Sequence, residues 1–281
     1  MTGTRVVILG AIAGFTIFLG LPTGRLRNTA VALKAFLNAS ALGVLVFLFW
    51  DVVSHAIEPV EGALTNAALE HSGSWWRFTA YAAVFIAGLA VGLLGLVAYD
   101  RRLARDRRPA SSVGAAAAVD IHPGPLARLS DGARLAVFIA VGIGLHNFSE
   151  GLAIGQSAAN GEISLAVALI IGFGLHNATE GFGIVAPLAG ERERPSWRFL
   201  AVMGLIGGGP TLIGTIVGQS FVNATVYLAF LALAAGSILY VVVQLFRAAF
   251  KLGHTELLMT GLLVGLLAGF ATDFVLVAAG A

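Results

Sequence analysis

The sequence predicts an all-α integral membrane protein in which eight transmembrane helices cross the bilayer and both termini lie outside (N-out, C-out). Three observations support this fold class. Of the 281 residues, 58% are hydrophobic and 11% are charged, whereas about 25% of the residues of a soluble domain are charged. The hydrophobic share is close to what eight helices of about 20 residues need. The third observation is the distribution of the basic residues, which alternates from loop to loop.

Each predicted span is an apolar run long enough, or nearly so, to cross a hydrocarbon core about 30 Å thick. The first run is interpreted as a retained span and not a signal peptide, because Arg25 and Arg27 follow it and no small-residue cleavage pattern comes before them. The predicted spans cover residues of about 6–21, 29–50, 78–99, 133–154, 164–188, 199–218, 223–246 and 256–279.

The basic residues predict the orientation. With the N-terminus outside, the loops after the first, third, fifth and seventh spans face the cytoplasm, and these loops hold every Lys and Arg except Arg5 and Arg77. An excess of positive charge is typical of cytoplasmic loops, and a missing span would invert every later loop. The longest break, residues 100–132, is an Arg-rich run followed by Ala, Ser, Gly and Pro. We expect it to be a flexible cytoplasmic loop.

The same charge pattern predicts the surroundings of the chain. Because the basic residues serve topology, we expect the lipid bilayer as a partner and no nucleic acid. The expected location is the cell (plasma) membrane, as a multi-pass protein of a prokaryotic inner membrane. The sequence is compatible with a homodimer.

The fourth and fifth spans contain the same ten-residue pattern, repeated 30 residues later. Residues 142–151 read GIGLHNFSEG and residues 172–181 read GFGLHNATEG. Ionisable side chains at membrane depth are costly and usually functional. The repeated His-Asn-x-x-Glu-Gly motif is therefore the main functional signal in the chain.

The spacing of the motif places chemically related groups on one helix face. His and Glu are four residues apart and Asn precedes that Glu by three, so each helix offers a ring nitrogen, an amide oxygen and a carboxylate to one point. Allowing for a turn between the spans, both motifs lie roughly 15 Å from the helix ends, at half the core thickness. The predicted site residues are His146, Asn147, Glu150, His176, Asn177 and Glu180.

Two imidazoles and two carboxylates at one point carry a charge of −2, which is unfavourable in the membrane unless a cation or protons occupy the site. A divalent metal ion meets that need. Imidazole with carboxylate suits Zn²⁺, and also Fe²⁺, Mn²⁺ or Co²⁺. The chain has no cysteine, which argues against Cu⁺ and excludes a thiol nucleophile. No cofactor is expected beyond the metal that is transported.

The paired motifs on the fourth and fifth of eight spans resemble those of the ZIP (Zrt/Irt-like protein) family of divalent metal transporters. In topology the resemblance covers nearly the whole chain. It implies uptake of metal toward the cytoplasm through a mid-membrane site between the fourth and fifth helices. It also implies that the first, fourth, fifth and sixth spans move against the other four. By motif position, the primary site would be formed by His146, Glu150, His176 and Glu180, and an adjacent site by Asn147 and Asn177 with the shared glutamates.

Among the departures from the family pattern, two remove a carboxylate. In the sixth span Gly209 stands where the family has a carboxylate before proline, and in the seventh span Gln244 stands where a glutamate is often found. Each change removes a negative charge, so we expect one working metal site and not two. Gln244 is kept as a candidate for the metal pathway.

Three further polar residues are candidates for the pathway. Asp51 and His55 are four residues apart near the outer end of the second span and share a helix face. They are interpreted either as an entrance site or as interfacial residues in contact with water. Asp273 lies deep in the eighth span and is a candidate waypoint for protons or metal.

The expected function is transport of a divalent metal by alternating access. Zinc is the first candidate, and iron, manganese, cobalt and cadmium are the others. The alternative is an intramembrane zinc-dependent hydrolase, because a bound metal can also activate water. The His-Glu-x-x-His pattern of zinc proteases is absent, and the motif leaves no free general base. We therefore expect a transporter and not an enzyme.

Overall fold

The structure, a computed structural model, describes residues 3–26, 31–70, 72–106, 126, 129–159, 161, 163–191, 193–220, 223–250 and 255–278. Within these ranges the regular elements are helices, and no residue forms a strand. The described helices include eight that are long and apolar enough to cross a membrane. This confirms the predicted fold class.

The helix bounds follow the order of the predicted spans. The first span consists of the helices Gly3–Phe15 and Ile17–Gly20 and the 3₁₀ helix Leu21–Arg25. The fifth span is Ile163–Val185 and continues into the 3₁₀ helix Ala186–Gly190. The other spans, from the second onward, are Val31–Ala68, Trp75–Asp106, Asp131–Ala159, Trp197–Gly218, Ala224–Phe250 and Thr255–Ala278.

Two helices extend far beyond their apolar runs. The second helix continues to Ala68, with Pro59 inside it, although the apolar run ends near residue 50. The third helix continues to Asp106, so the first part of the predicted loop 100–132 is helical. A helix satisfies its backbone hydrogen bonds internally and needs no apolar side chains outside the bilayer. The remainder of that loop, at 107–125 and 127–128, lies outside the described residues.

Glycines pack the helices into two groups of four. The first body consists of the first, fourth, fifth and sixth spans. At its helix crossings, a Cβ atom added to a glycine would overlap a backbone carbonyl oxygen of the neighbouring helix, so only glycine allows the observed approach. The crossings include Gly14 against Gly208, Gly151 against Thr211 and Gly181 against Ile17.

The second body consists of the second, third, seventh and eighth spans and is packed in the same way. Here Gly265 lies against the carbonyl oxygen of Ser40, and Gly236 against that of Leu89. Between the two bodies the packing is different. A Cβ at Gly142 would lie 3.4 Å from the Cβ of Ser237, which is ordinary van der Waals contact. No described glycine of one body would clash with the backbone of the other body.

Replacing Gly265 by valine should destabilise the second body, whereas replacing Gly95 by valine should not. Both glycines lie in transmembrane helices, but a Cβ at Gly95 has nothing within 4 Å. We expect Gly265→Val to cost about 1–3 kcal/mol or more, and Gly95→Val to stay within about 0.5 kcal/mol. Thermal unfolding of the two detergent-solubilised variants measures the difference. Equal melting temperatures would contradict the glycine packing.

Candidate metal centre

The fourth span carries the first copy of the motif on a helix that is buried over most of its length. Its side chains His146, Asn147 and Glu150 are all buried. The Nε2 atom of His146 lies 3.1 Å from Oε1 of Glu150, and each side chain is 5% exposed. This contact is the i, i+4 pair that the motif spacing predicts.

Asn147 joins three spans of the first body. Its Nδ2 group donates one hydrogen bond to Oε2 of Glu180 in the fifth span and another to the backbone carbonyl of Gly207 in the sixth, both at 3.0 Å. Glu180 is fully buried. The structure therefore brings the two copies of the motif into direct contact.

The second copy of the motif is tied to the first span. Nδ2 of Asn177 donates to the backbone carbonyl of Ala13 at 3.0 Å, and Asn177 is fully buried. His176 lies in the same helix, but its side chain falls outside the described residues. Its predicted role as a ligand stays a prediction.

Three buried oxygen atoms of the motif have no hydrogen-bond partner among the described residues. They are Oε2 of Glu150, Oδ1 of Asn147 and Oδ1 of Asn177. All three are acceptors, because an amide oxygen carries no proton and an ionised carboxylate offers only lone pairs. Buried acceptors without donors are unfavourable. A cation is the kind of ligand that such a set of oxygens would bind.

The described side chains do not themselves form a ready-made coordination sphere. No group of three or more His, Asp or Glu side chains among them has a metal-binding arrangement. In this state the polar groups bond to one another, His146 with Glu150 and Asn147 with Glu180. A metal ion would have to replace these contacts.

Asp51, in the second span, belongs to the other body and is near enough for its charge to act on His146, Glu150 and Glu180. His55 contacts it through Nδ1, which is 2.9 Å from the backbone oxygen of Asp51 and 3.5 Å from its Oδ1. The His55 side chain is 55% exposed. These two residues therefore lead from the surface toward the buried motif.

The two other pathway candidates lie elsewhere. Gln244 lines a cavity at the opposite end of the bundle from His55, among the ends of the second to fifth and seventh spans. In the part of the chain that is described, no hydrogen bond or ion pair joins Asp273 to the motif residues. At Gly209 a Cβ would meet nothing within 4 Å, so the missing carboxylate is not a consequence of crowding.

The sequence motif alone missed two backbone groups of the site. The carbonyls of Gly207 and Ala13 accept the hydrogen bonds that orient Asn147 and Asn177. A motif of side chains does not indicate which backbone carbonyl groups of other helices will face it. The one signal was the run of glycines before Pro210, which marks a stretch where other groups can reach the helix backbone.

The comparisons with known proteins agree with the paired motifs. The family model of the ZIP zinc transporters matches residues 103–276, which contain both copies. No curated protein matches the chain significantly. The family consists of transporters of divalent metal ions and not of enzymes. The chain therefore belongs to the ZIP zinc transporter family, and it is a multi-pass membrane protein for the transport of divalent metal.

Proposed function

We propose that this protein takes up a divalent metal ion toward the cytoplasm through the buried motif of the fourth and fifth spans. The ligands of the metal are His146, Glu150, His176 and Glu180, with the amide oxygens of Asn147 and Asn177 beside them. The observation that carries the proposal is the set of three buried acceptor oxygens without donors, on two contacting spans.

The donor set favours metals of intermediate hardness. Imidazole nitrogen, carboxylate and amide oxygen suit zinc, and they also bind iron(II), manganese, cobalt and cadmium. With no thiolate in the chain and no carboxylate at Gly209, a single metal per chain is proposed. Zinc is the first candidate.

The two glycine-packed bodies support a transport cycle by alternating access. All four proposed metal ligands belong to the first body, whereas Asp51 belongs to the second. Glycines bring helix backbones together within each body, whereas no described glycine brings the backbones of the two bodies together. Sliding of one body against the other would expose the site to one side of the membrane at a time.

The orientation of the protein in the membrane follows from the charge of the two ends of the bundle. At one end, which we call the basic end, Arg25 donates to the carbonyl of Pro195 and lies 4.7 Å over the ring of Trp197. The loops after the first and fifth spans therefore meet there. The positive-inside rule places this end in the cytoplasm of the cell membrane. Asp51 and His55 then form the outer approach.

Flux into sealed proteoliposomes that contain only this protein tests the proposal. We expect zinc to enter the vesicles faster than it enters protein-free vesicles, and other divalent metals to compete. The hydrolase alternative predicts no flux, because hydrolysis needs no passage of metal through the protein. Vesicles that hold the folded protein but take up no zinc, iron, manganese, cobalt or cadmium would contradict the proposal.

A further inference from the structure

A cavity of about 550 Å³ opens at the basic end, between the two bodies. Its lining includes Arg134 and Phe138 of the fourth span, from the first body. The second body contributes Asp100, Tyr240 and Gln244 to the same wall. The cavity therefore lies on the line from the proposed metal site to the cytoplasm.

On the fourth span, Phe138 is the lining residue of the cavity that is nearest to the motif. Phe138 precedes His146 by two helical turns, about 12 Å along the helix. Its ring lies between two tyrosines of the second body. The ring centroids are 5.9 Å from Tyr99 and 6.0 Å from Tyr240, both in edge-to-face geometry. Phe138 is 4% exposed and Tyr240 is 5% exposed, whereas Tyr99 is 42% exposed, so it is the buried contact of Phe138 with Tyr240 that lies between the cavity and the motif.

A charged layer lies one turn below the three rings. Arg134 pairs through Nε with Oδ1 of Asp100 at 3.2 Å, which is a contact from the first body to the second. Its other end group lies 3.2 Å from Asp131 on its own helix. Tyr240 and Asp100 both line the cavity, and Asp100 directly follows Tyr99 in the third helix. Asp100 therefore connects the charged layer to the aromatic layer.

A pair of small residues lies between the three rings and the motif. Gly142 faces Ser237 across the boundary of the two bodies, and Gly142 lies one turn from Phe138 and one from His146. Ser237 is 3% exposed, so a reagent reaches this position only when the passage opens.

We propose that Phe138, with Tyr99 and Tyr240, and the Arg134–Asp100 ion pair form the inner gate of the metal pathway. Both layers join the first body to the second, so both break when the bodies slide. The rings exclude a hydrated metal ion by size, and the ion pair holds the two bodies together at this level. That the ion stopped by this gate is a divalent metal rests on the proposed function.

The absence of cysteine from the chain allows a direct test of the barrier. A single Ser237→Cys variant places a thiol between the gate and the motif. In membrane vesicles, a membrane-impermeant thiol reagent is added on the side of the basic end, without metal. We expect slow labelling of Ser237→Cys, and labelling at least about tenfold faster when Phe138→Ala is added, because the rate follows the population of the open passage.

The matched control is Phe47→Ala, which removes the same ring from packing against Phe270 within the second body. It should leave the labelling rate unchanged. Arg134→Gln removes the ion pair and leaves the hydrophobic core filled. It should also accelerate labelling of Ser237→Cys. If Phe138→Ala does not fold, the labelling rate of the Arg134→Gln variant tests the gate. The gate is overturned if neither gate variant accelerates labelling, or if Phe47→Ala accelerates it equally. Because labelling is read without metal, a failure of zinc flux would refute the proposed function and leave this result standing.

Discussion

Replacing Glu150 by glutamine should abolish metal binding and transport while the protein still folds in the membrane. Oε1 of Glu150 contacts His146 at 3.1 Å, and its Oε2 has no hydrogen-bond partner among the described residues. Glutamine has the same shape, but it is neutral and its NH₂ group would point a donor into a set of acceptors. Removing a metal ligand costs more than the 10- to 100-fold that outer-shell changes cost. We therefore expect affinity to fall by about 100-fold or more.

The measurement is the amount of zinc or cadmium that remains bound to the purified protein, together with flux in proteoliposomes. The wild-type chain should retain one equivalent and Glu150→Gln none. Two tightly bound equivalents in the wild type would contradict the single site. Removing a buried charge should not lower the stability of the metal-free protein, so the melting temperature in chelator should be maintained.

Glu256→Gln is the matched control for this experiment. Glu256 is an exposed carboxylate in the first turn of the eighth helix, and its replacement removes the same charge far from the motif. It should bind and transport metal like the wild type. If Glu150→Gln also behaves like the wild type, the assignment of the metal site to this motif is wrong.

Replacing Asn147 by aspartate should make the protein's stability strongly dependent on metal. Asparagine donates to Glu180 and to the carbonyl of Gly207, both at 3.0 Å. Aspartate loses both bonds and places a second carboxylate against Glu180. Each buried acceptor left without a donor costs about 1–3 kcal/mol. We expect the metal-free variant to melt several degrees lower, and zinc to raise its melting temperature by more than it raises that of the wild type.

Asn147→Ala separates the two parts of this result. It also removes both hydrogen bonds, so the metal-free protein should be destabilised, but it adds no charge for zinc to neutralise. Its stabilisation by zinc should not exceed that of the wild type. Thermal unfolding in chelator and in zinc measures both variants. A metal-free Asn147→Asp protein as stable as the wild type would show that Glu180 does not depend on this donor.

Much of the architecture could be predicted because its signals are local. A run of about 20 apolar residues crosses a bilayer wherever it occurs, and eight such runs appear as eight spanning helices. The pairing of His146 with Glu150 likewise follows from the helical repeat. The ends of the helices could not be predicted in this way. The second helix continues to Ala68, because backbone hydrogen bonding does not stop where the side chains become polar.

The arrangement of the site was only partly predictable. The repeat indicated that the two motifs converge, and the contact between Asn147 and Glu180 agrees with that expectation. The resemblance to the family made Gln244 a candidate for the metal pathway. The structure places Gln244 in the cavity at the basic end. In the sequence, Arg134 was interpreted only as one of the basic residues that set the orientation in the membrane. Its contact with Asp100 joins helices that are distant in sequence, and no local pattern indicates such a contact.

The sequence by itself determined the number of spans and the residue types that lie at membrane depth. Hydropathy and helical periodicity act within one helix, and the cost of a buried carboxylate is the same in any fold. Only the tertiary structure decided which helices touch, through glycines such as Gly151 and Gly265 that admit a neighbouring backbone. That packing divides the chain into two bodies and aligns Asn147 with Glu180. The distance between two helices depends on both of their surfaces together, so neither sequence segment specifies it alone.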